Sequence, residues 1–316
     1  MKPKERKVTF PIMGRKNSEV IGTFLEDLGL QVIMPPKTTD ETIRTGAKYC
    51  ANMVCYPLKV TLGNYIEALE QGANTLLAYD TQGACRFRQY THLHNFTLTG
   101  LGYNFEMHTI NKNNVVGKLS ELSGRSRLTV LNKMRQYFRQ IQENDRKSKQ
   151  WSEDRPNIGI IGEIYCCCED SINFGLEDKI RRYGGNPYNT ATVTDFVSNK
   201  VPILNLFSFR RLFARDEKQE HKRRAKEYLQ GFTAGHAYEN LYNLLWLKDQ
   251  GVDGVVHVLP LSCMPETTIE PYVNGICRDS KIPLLRIPID ENSAEANLET
   301  RLETFVELIK IKRDRK

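Results

Sequence analysis

Cysteine is the residue type in this chain with the most chemistry to offer. The 316 residues include eight: Cys50, Cys55, Cys85, Cys166, Cys167, Cys168, Cys263 and Cys277. In a reducing compartment such thiols serve as buried groups, metal ligands or redox groups rather than as structural disulfides. Three share a local grammar. Cys55 is followed by Tyr56-Pro57 and a helical pattern from Leu58. Cys85 follows an apolar strand-like run and a Gln82-Gly83 turn, and precedes a helical pattern. Cys263 follows the strand-like Gly254–Leu259 and is succeeded by Met264-Pro265-Glu266, a helix start. Proline suits the first turn of a helix, where its missing N–H leaves no bond unmade. Cys85 and Cys263 are therefore expected where a strand's carboxyl end turns into a helix, and Cys55 at a helix N-terminus. That edge is where open α/β sheets bind ligands. The positive end of a helix favours a thiolate or another anion.

Thiolates so placed suit an iron–sulfur cluster, whose usual ligands are cysteine sulfurs. Three of them leave one iron of a four-iron cluster open to a substrate oxygen. No CxxC pair is present, so spacing leaves ordinary buried thiols as an alternative. A structural zinc site is another, although zinc usually takes four ligands.

The elements that must hold these residues alternate. Short apolar strands are expected at Val8–Met13, Gln31–Met34, Thr75–Tyr79 and Phe105–Thr109. Helices are expected at Ser18–Leu28, Thr39–Ala47, Leu58–Gln71 and Arg88–Thr99. Lys118–Gln150 reads as one long polar helical stretch. Strands then recur at Asn157–Gly162, Gly254–Leu259 and Pro283–Ile287. Helices recur at Ser171–Tyr183, at Glu220–Asp249 with a break near Gly231–Gly235, at Pro265–Ser280 and at Ala294–Lys310. The alternation predicts an α/β fold with parallel sheets. The length suits two lobes of about 150 residues each. The expected organisation is an N-terminal α/β lobe over 1–112, a helical bridge over 113–155 and a C-terminal α/β lobe over 156–316.

Composition narrows the function classes. With 45 basic and 38 acidic residues the net charge is +7, concentrated in Arg210–Lys226 and Lys310–Lys316. No nucleic-acid module accompanies it, so nucleic acid is not an expected partner. No stretch approaches the ~20 apolar residues of a membrane helix, and the charged N-terminus lacks the apolar core of a signal peptide. A cytoplasmic protein without a membrane partner is expected. Gly159-Ile-Ile-Gly162 is not a dinucleotide fingerprint, and no Walker-type phosphate loop is present.

At the cysteine segments the sequence resembles the 2-hydroxyacyl-CoA dehydratase D-component superfamily, and within it the acyl-CoA dehydratase activase-related proteins. The segments carrying the resemblance include Val8–Gly14, Gly46-Ala-Lys-Tyr49, Cys55–Leu69, Ala84–Phe87, Ile158–Tyr165, Gly235-His236, Cys263–Glu266 and Thr300–Val306. The resemblance implies two Rossmann-like lobes with a [4Fe–4S] cluster in the cleft between them, held by Cys55, Cys85 and Cys263. It also implies a separate ATP-dependent activator that delivers low-potential electrons to the cluster. An acyl-CoA thioester then forms a ketyl radical and loses water, a lyase reaction, or is reduced. The relatives are heterodimers, so a homo- or heterodimer is expected. A non-catalytic, cluster-bearing electron-relay or accessory subunit is the alternative function.

Three residues are candidates for substrate chemistry. Glu163, after a strand end, and His236, in the Gly-His pair, would move protons. Arg86 would bond a cluster sulfide or a substrate carboxylate. Each has a plainer reading, as a cap, a satisfied structural histidine or a surface ion pair. Glu266 is expected to complement a helix dipole, and Lys59 to be a solvated helix lysine. The chain departs from the family pattern at Cys50, Arg88 and Cys166-Cys167-Cys168. A cysteine triplet on a strand points alternate thiols to opposite faces, so at most Cys166 and Cys168 would share a site in a larger cluster.

Overall fold

The structure, a computed structural model, describes residues 5–80, 85–200, 218–230 and 235–315. The expected Gln82-Gly83 turn, the start of the basic run at Arg210 and the helix break at 231–234 lie outside them. The described residues form two units. The first takes in 5–80, 86–144 and 196–200, and the second takes in Cys85, 145–195, 218–230 and 235–315.

The first unit runs β1 (Lys7–Thr9), α1 (Arg15–Asp27), β2 (Gln31–Val32), α2 (Asp40–Lys48), α3 (Tyr56–Glu70), β3 (Thr75–Tyr79), a 3-10 turn (Arg86–Gln89), α4 (Tyr90–Gly100), β4 (Glu106–Ile110), α5 (Val115–Ser123) and α6 (Arg127–Arg146). Its four strands are parallel in the order β2-β1-β3-β4. The Lys118–Gln150 stretch is two helices, because Gly124 takes up a left-handed conformation and ends α5. Both belong to the first core: Leu119, Leu122 and Val130 pack with Val8, Phe10, Leu25 and Leu28. Their apolar residues are few but fall on one side, which is enough to cover a sheet face.

Helix α3 positions Cys55, and α2 fixes α3. The N-terminus of α2 is held by a reciprocal Thr39–Thr42 capping box. The two helices then approach backbone to backbone. A methyl group on Gly46 would stand 1.8 Å from the Lys59 carbonyl oxygen, and one on Gly63 would stand 2.1 Å from that of Thr42.

The second unit runs β5 (Asn157–Gly162), α7 (Ile164–Cys168), α8 (Asp170–Asn173), α9 (Leu176–Arg182), β6 (Asn186–Asn189), α10 (Val193–Lys200, whose later residues fall to the first unit), α11 (Gln219–Leu229), α12 (Ala237–Asp249), β7 (Gly254–Pro260), α13 (Met264–Asp279), β8 (Leu284–Ile289) and α14 (Glu295–Asp314). Its strands are parallel in the order β6-β5-β7-β8. Strands β5 and β7 are buried along their whole length, as central strands covered on both faces must be. The edge strand β6 carries no apolar run and escapes a sequence reading. Its Pro187 is tolerated because an edge strand needs fewer backbone donors. Two four-stranded parallel sheets with helices between the strands thus make two Rossmann-like α/β lobes.

The α2–α3 approach leaves no room for a side chain. Gly63→Ala should lower the stability of the first unit by about 1–3 kcal/mol, the usual cost of overpacking. Gly100→Ala, where a methyl group meets nothing within 4 Å, should be tolerated. Urea unfolding midpoints of the two variants check the contrast.

Candidate functional site

Two of the three cysteines occupy the same kind of place. Cys55 is the N-cap of α3 and Cys263 the N-cap of α13, both with extended backbone and both followed by proline within the first two helical positions. Neither thiol bonds back to its own helix as a cap. Each therefore stands at the positive end of a helix, which favours a thiolate or a bound anion. Cys55 is half-buried, whereas Cys263 is 5% exposed.

Cys85 is held by a different device. Gly235 has φ +51, and a side chain there would stand 2.8 Å from Pro265 Cγ and 3.5 Å from Cys85 Sγ. The missing side chain lets the Cys85 thiol lie by the first turn of α13, two residues past Cys263. His236, next to Gly235, is the N-cap of α12 and does not cap it through its side chain. Gly235 thus stands between Cys85 and Pro265 near the starts of α12 and α13, while Cys55 belongs to the first unit. Arg86 is exposed and donates from Nη1 to the Met53 carbonyl at 3.1 Å, within the loop leading to Cys55. None of the cysteines is in a disulfide. Among the described residues no three His, Cys, Asp or Glu side chains are gathered closely enough to hold a metal ion.

The starts of α12 and α13 are tied together by a network that sequence reasoning missed. Glu266 is fully buried. Its Oε1 accepts from Asn240 Nδ2 at 2.8 Å, and its Oε2 lies 2.8 Å from Nε2 of buried His257 on β7. Asn240 also donates to the Gly162 carbonyl at 2.9 Å and accepts from the Gly162 N–H at 3.1 Å. Glu266 was expected to complement a helix dipole. It does lie in a first turn, but its oxygens are spent on another helix and a strand. The signal was an acidic residue three positions after an N-cap, a pattern too common to mark burial.

Glu163 follows Gly162, whose φ of +145 ends β5, and caps α7 by accepting from the Cys166 N–H at 2.9 Å. Burial pushes its carboxyl up to about 7, against those backbone bonds and with a small further push from Glu266. The group can therefore gain or lose a proton near neutrality.

The Cys166–Cys168 triplet lies on helix α7 and not on a strand, because the chain turns at Gly162-Glu163. Residues two apart on a helix point about 200° apart, so Cys166 and Cys168 do not share a face. Burial pushes the Cys167 and Cys168 thiols well up, and nearby carboxylates add to this. Cys168 Sγ donates to the Ala191 carbonyl at 3.2 Å. Lys59, expected in solvent, is 2% exposed and donates from Nζ to the Asn52 carbonyl at 3.1 Å, so it steadies the loop before Cys55.

The Glu163 shift has a definite sign. A carboxyl with a folded pKa of about 7 and an unfolded one near 4.5 contributes stability below the unfolded value. It loses that contribution as pH rises through the folded one. Glu163→Gln should therefore be more stable relative to the parent at about pH 8 than at about pH 4. Thermal unfolding midpoints of both proteins at the two values test this.

Comparison with known families finds two matched segments. Residues 13–78 match the family described as CoA enzyme activase uncharacterised domain. Residues 216–309 match 2-hydroxyglutaryl-CoA dehydratase, D-component. No curated protein matches the chain. The first segment includes Cys55 and its helix, and the second includes His236, Glu266 and Cys263. With one match in each unit, the similarity of this chain is to the 2-hydroxyacyl-CoA dehydratase D-component superfamily and its activase-related members.

Proposed function

We propose that the chain is an iron–sulfur component of a 2-hydroxyacyl-CoA dehydratase-like system, with Cys55, Cys85 and Cys263 as ligands of a [4Fe–4S] cluster. The observation that carries this is the repeated placement of a thiol at the N-cap of a proline-started helix, once in each unit, at Cys55 and Cys263. The donor set fits an anionic, thiolate-bound group. The hollow at Gly235, which a side chain would close, keeps Cys85 beside the start of α13. When bound, the cluster would supply low-potential one-electron chemistry and an open iron for an acyl-CoA oxygen.

The chain's own residues have separable tasks. The positive ends of α3 and α13 favour the bound anion. Pro57 and Pro265 keep their first turns regular, because they remove no needed donor. Glu163 holds or releases a proton at the carboxyl edge of β5, and His236 offers an imidazole at the start of α12. Arg86 steadies the chain beside Cys85 through the Met53 carbonyl. The electrons would come from a separate ATP-dependent activator. Among the described residues no helix is long and apolar enough to cross a membrane.

Anaerobic purification with iron and sulfide analysis tests the reading. About four irons per chain are expected. They should be lost in Cys55→Ala, Cys85→Ala and Cys263→Ala, and kept when Cys166, Cys167 and Cys168 are all replaced. Iron retained in the three single variants, or an iron-free parent, rejects the ligand set. Cluster spectra that change on adding a CoA thioester identify a catalytic component. Spectra indifferent to thioesters, in a chain that binds a reductase, identify an electron relay.

A further inference from the structure

The first unit has a cleft that no residue of the reading above lines. It holds about 380 Å³ beyond the carboxyl end of β4, where α5 and α6 begin. Four branched aliphatic side chains, Val115, Val116, Leu128 and Leu131, line it together with Lys112 and Arg127. No acidic and no aromatic side chain is among its described lining residues. The volume is that of a small-molecule site.

The loop that carries Lys112 is fixed by its own asparagines. The Asn111 N–H donates to Asn114 Oδ1 at 2.7 Å and the Asn113 N–H to Asn111 Oδ1 at 2.9 Å. Asn114 Nδ2 donates to the Thr109 carbonyl at 3.1 Å. A ligand therefore meets a preformed wall, which lowers the entropy lost on binding. Arg127 is placed by a missing side chain. Gly117 lies in the first turn of α5, and a methyl group there would stand 3.7 Å from Arg127 Nη2. The guanidinium thus lies against the positive end of α5, the unfavourable end for a cation. No acidic residue occupies the first turn of α5 or α6 to offset it.

The basic residues nearby in the chain are satisfied. Lys118 pairs with Glu121 at 3.0 Å, and Arg125 Nε donates to the Leu28 carbonyl at 3.2 Å. Among the described residues Lys112 and Arg127 have no such partner. Leu128, next to Arg127, is 66% exposed. Two cations without a counter-charge and a set of exposed aliphatic walls are together complementary to an anion with an aliphatic body. A bare anion would leave the walls in water, and a nucleotide would find no ring to stack on.

We propose that this cleft binds a short-chain aliphatic anion. Its carboxylate or phosphate head sits on Arg127 and Lys112, and its chain lies along Val115, Val116, Leu128 and Leu131. The inference is independent of the cluster reading, because the cleft shares no residue with the cysteine segments.

The test is calorimetric titration of the full chain, at fixed ionic strength, with hexanoate, hexyl phosphate, acetate and hexanol. Hexanoate or hexyl phosphate should bind one to one, and the tighter of the two names the head. Acetate lacks the chain and hexanol lacks the charge, so each should bind at least about tenfold more weakly. Arg127→Gln should weaken the aliphatic anion by about tenfold or more. Leu128→Ser should weaken it by about threefold or more. Lys16→Gln, in an exposed residue of α1 outside the cleft, should bind as the parent does. That control separates a site from the general pull of a chain with net charge +7. All three substituted side chains are exposed, so the fold should survive. Without ligand, Arg127→Gln should unfold at no lower temperature than the parent.

No binding of either aliphatic anion overturns the inference. So does acetate or hexanol binding as tightly as they do, or an affinity unchanged in Arg127→Gln or in Leu128→Ser. A lower unfolding temperature for unliganded Arg127→Gln also overturns it, because the guanidinium would then have a structural task.

Discussion

Each unit depends on a buried asparagine that closes the gap past its first strand. A parallel strand that ends inside a protein leaves backbone groups without a ladder partner, and burying them unpaired is costly. In the first unit Asn64 of α3 accepts from the Ile12 N–H at 3.3 Å and donates to Thr38 Oγ1 at 3.2 Å. In the second, Asn240 of α12 bonds both backbone groups of Gly162. Both asparagines sit on the helix that leads into the third strand of their unit, and both sheets have the same strand order. The strand end and the helix are thereby locked, and the helix start falls at the carboxyl edge, where the candidate residues are.

That lock decides what the helix starts can do. The starts of α3 and α13, with Cys55 and Cys263 at their N-caps, then carry the positive ends of two helix dipoles. Prolines at Pro57 and Pro265 add no strain there. The thiols of Cys55 and Cys263 take the N-cap places that serine, threonine or aspartate usually fill. They spend nothing on capping their own helices.

Carboxylates and thiols share the edge of the second unit with a clear division. Burial pushes the Cys167 thiol well up, and Glu163, Glu266 and Glu177 add to the effect, so that thiol stays protonated. Cys168 follows the same logic, with Asp145 as its strongest charged neighbour. Cys263 lies at the start of a helix, where the dipole works in the opposite sense. A count of cysteines therefore overstates the thiols available as ligands. The surroundings sort them, and the two turned to the starts of long helices are set apart from the packed triplet.

Periodicity and punctuation in the chain were enough for the α/β class, most of the parallel strands and the helix starts at Cys55 and Cys263. The reason is that alternating apolar runs, glycine stops and Cys-x-Pro starts act within a few residues. The polar edge strand β6, the break of the long helical stretch at Gly124 and the helical Cys166–Cys168 triplet were not legible. Each depends on what a neighbouring element covers. Nor could the sequence tell that Lys59 and Glu266 are buried, because a charged residue is buried only when the folded chain brings groups that supply its bonds. For Lys59 that group is the Asn52 carbonyl, and for Glu266 they are Asn240 and His257. Residue types and short spacings determined which groups carry chemistry. Only the tertiary structure decided which of them are turned to one place, since hydrogen bonds between residues far apart in the chain do that work.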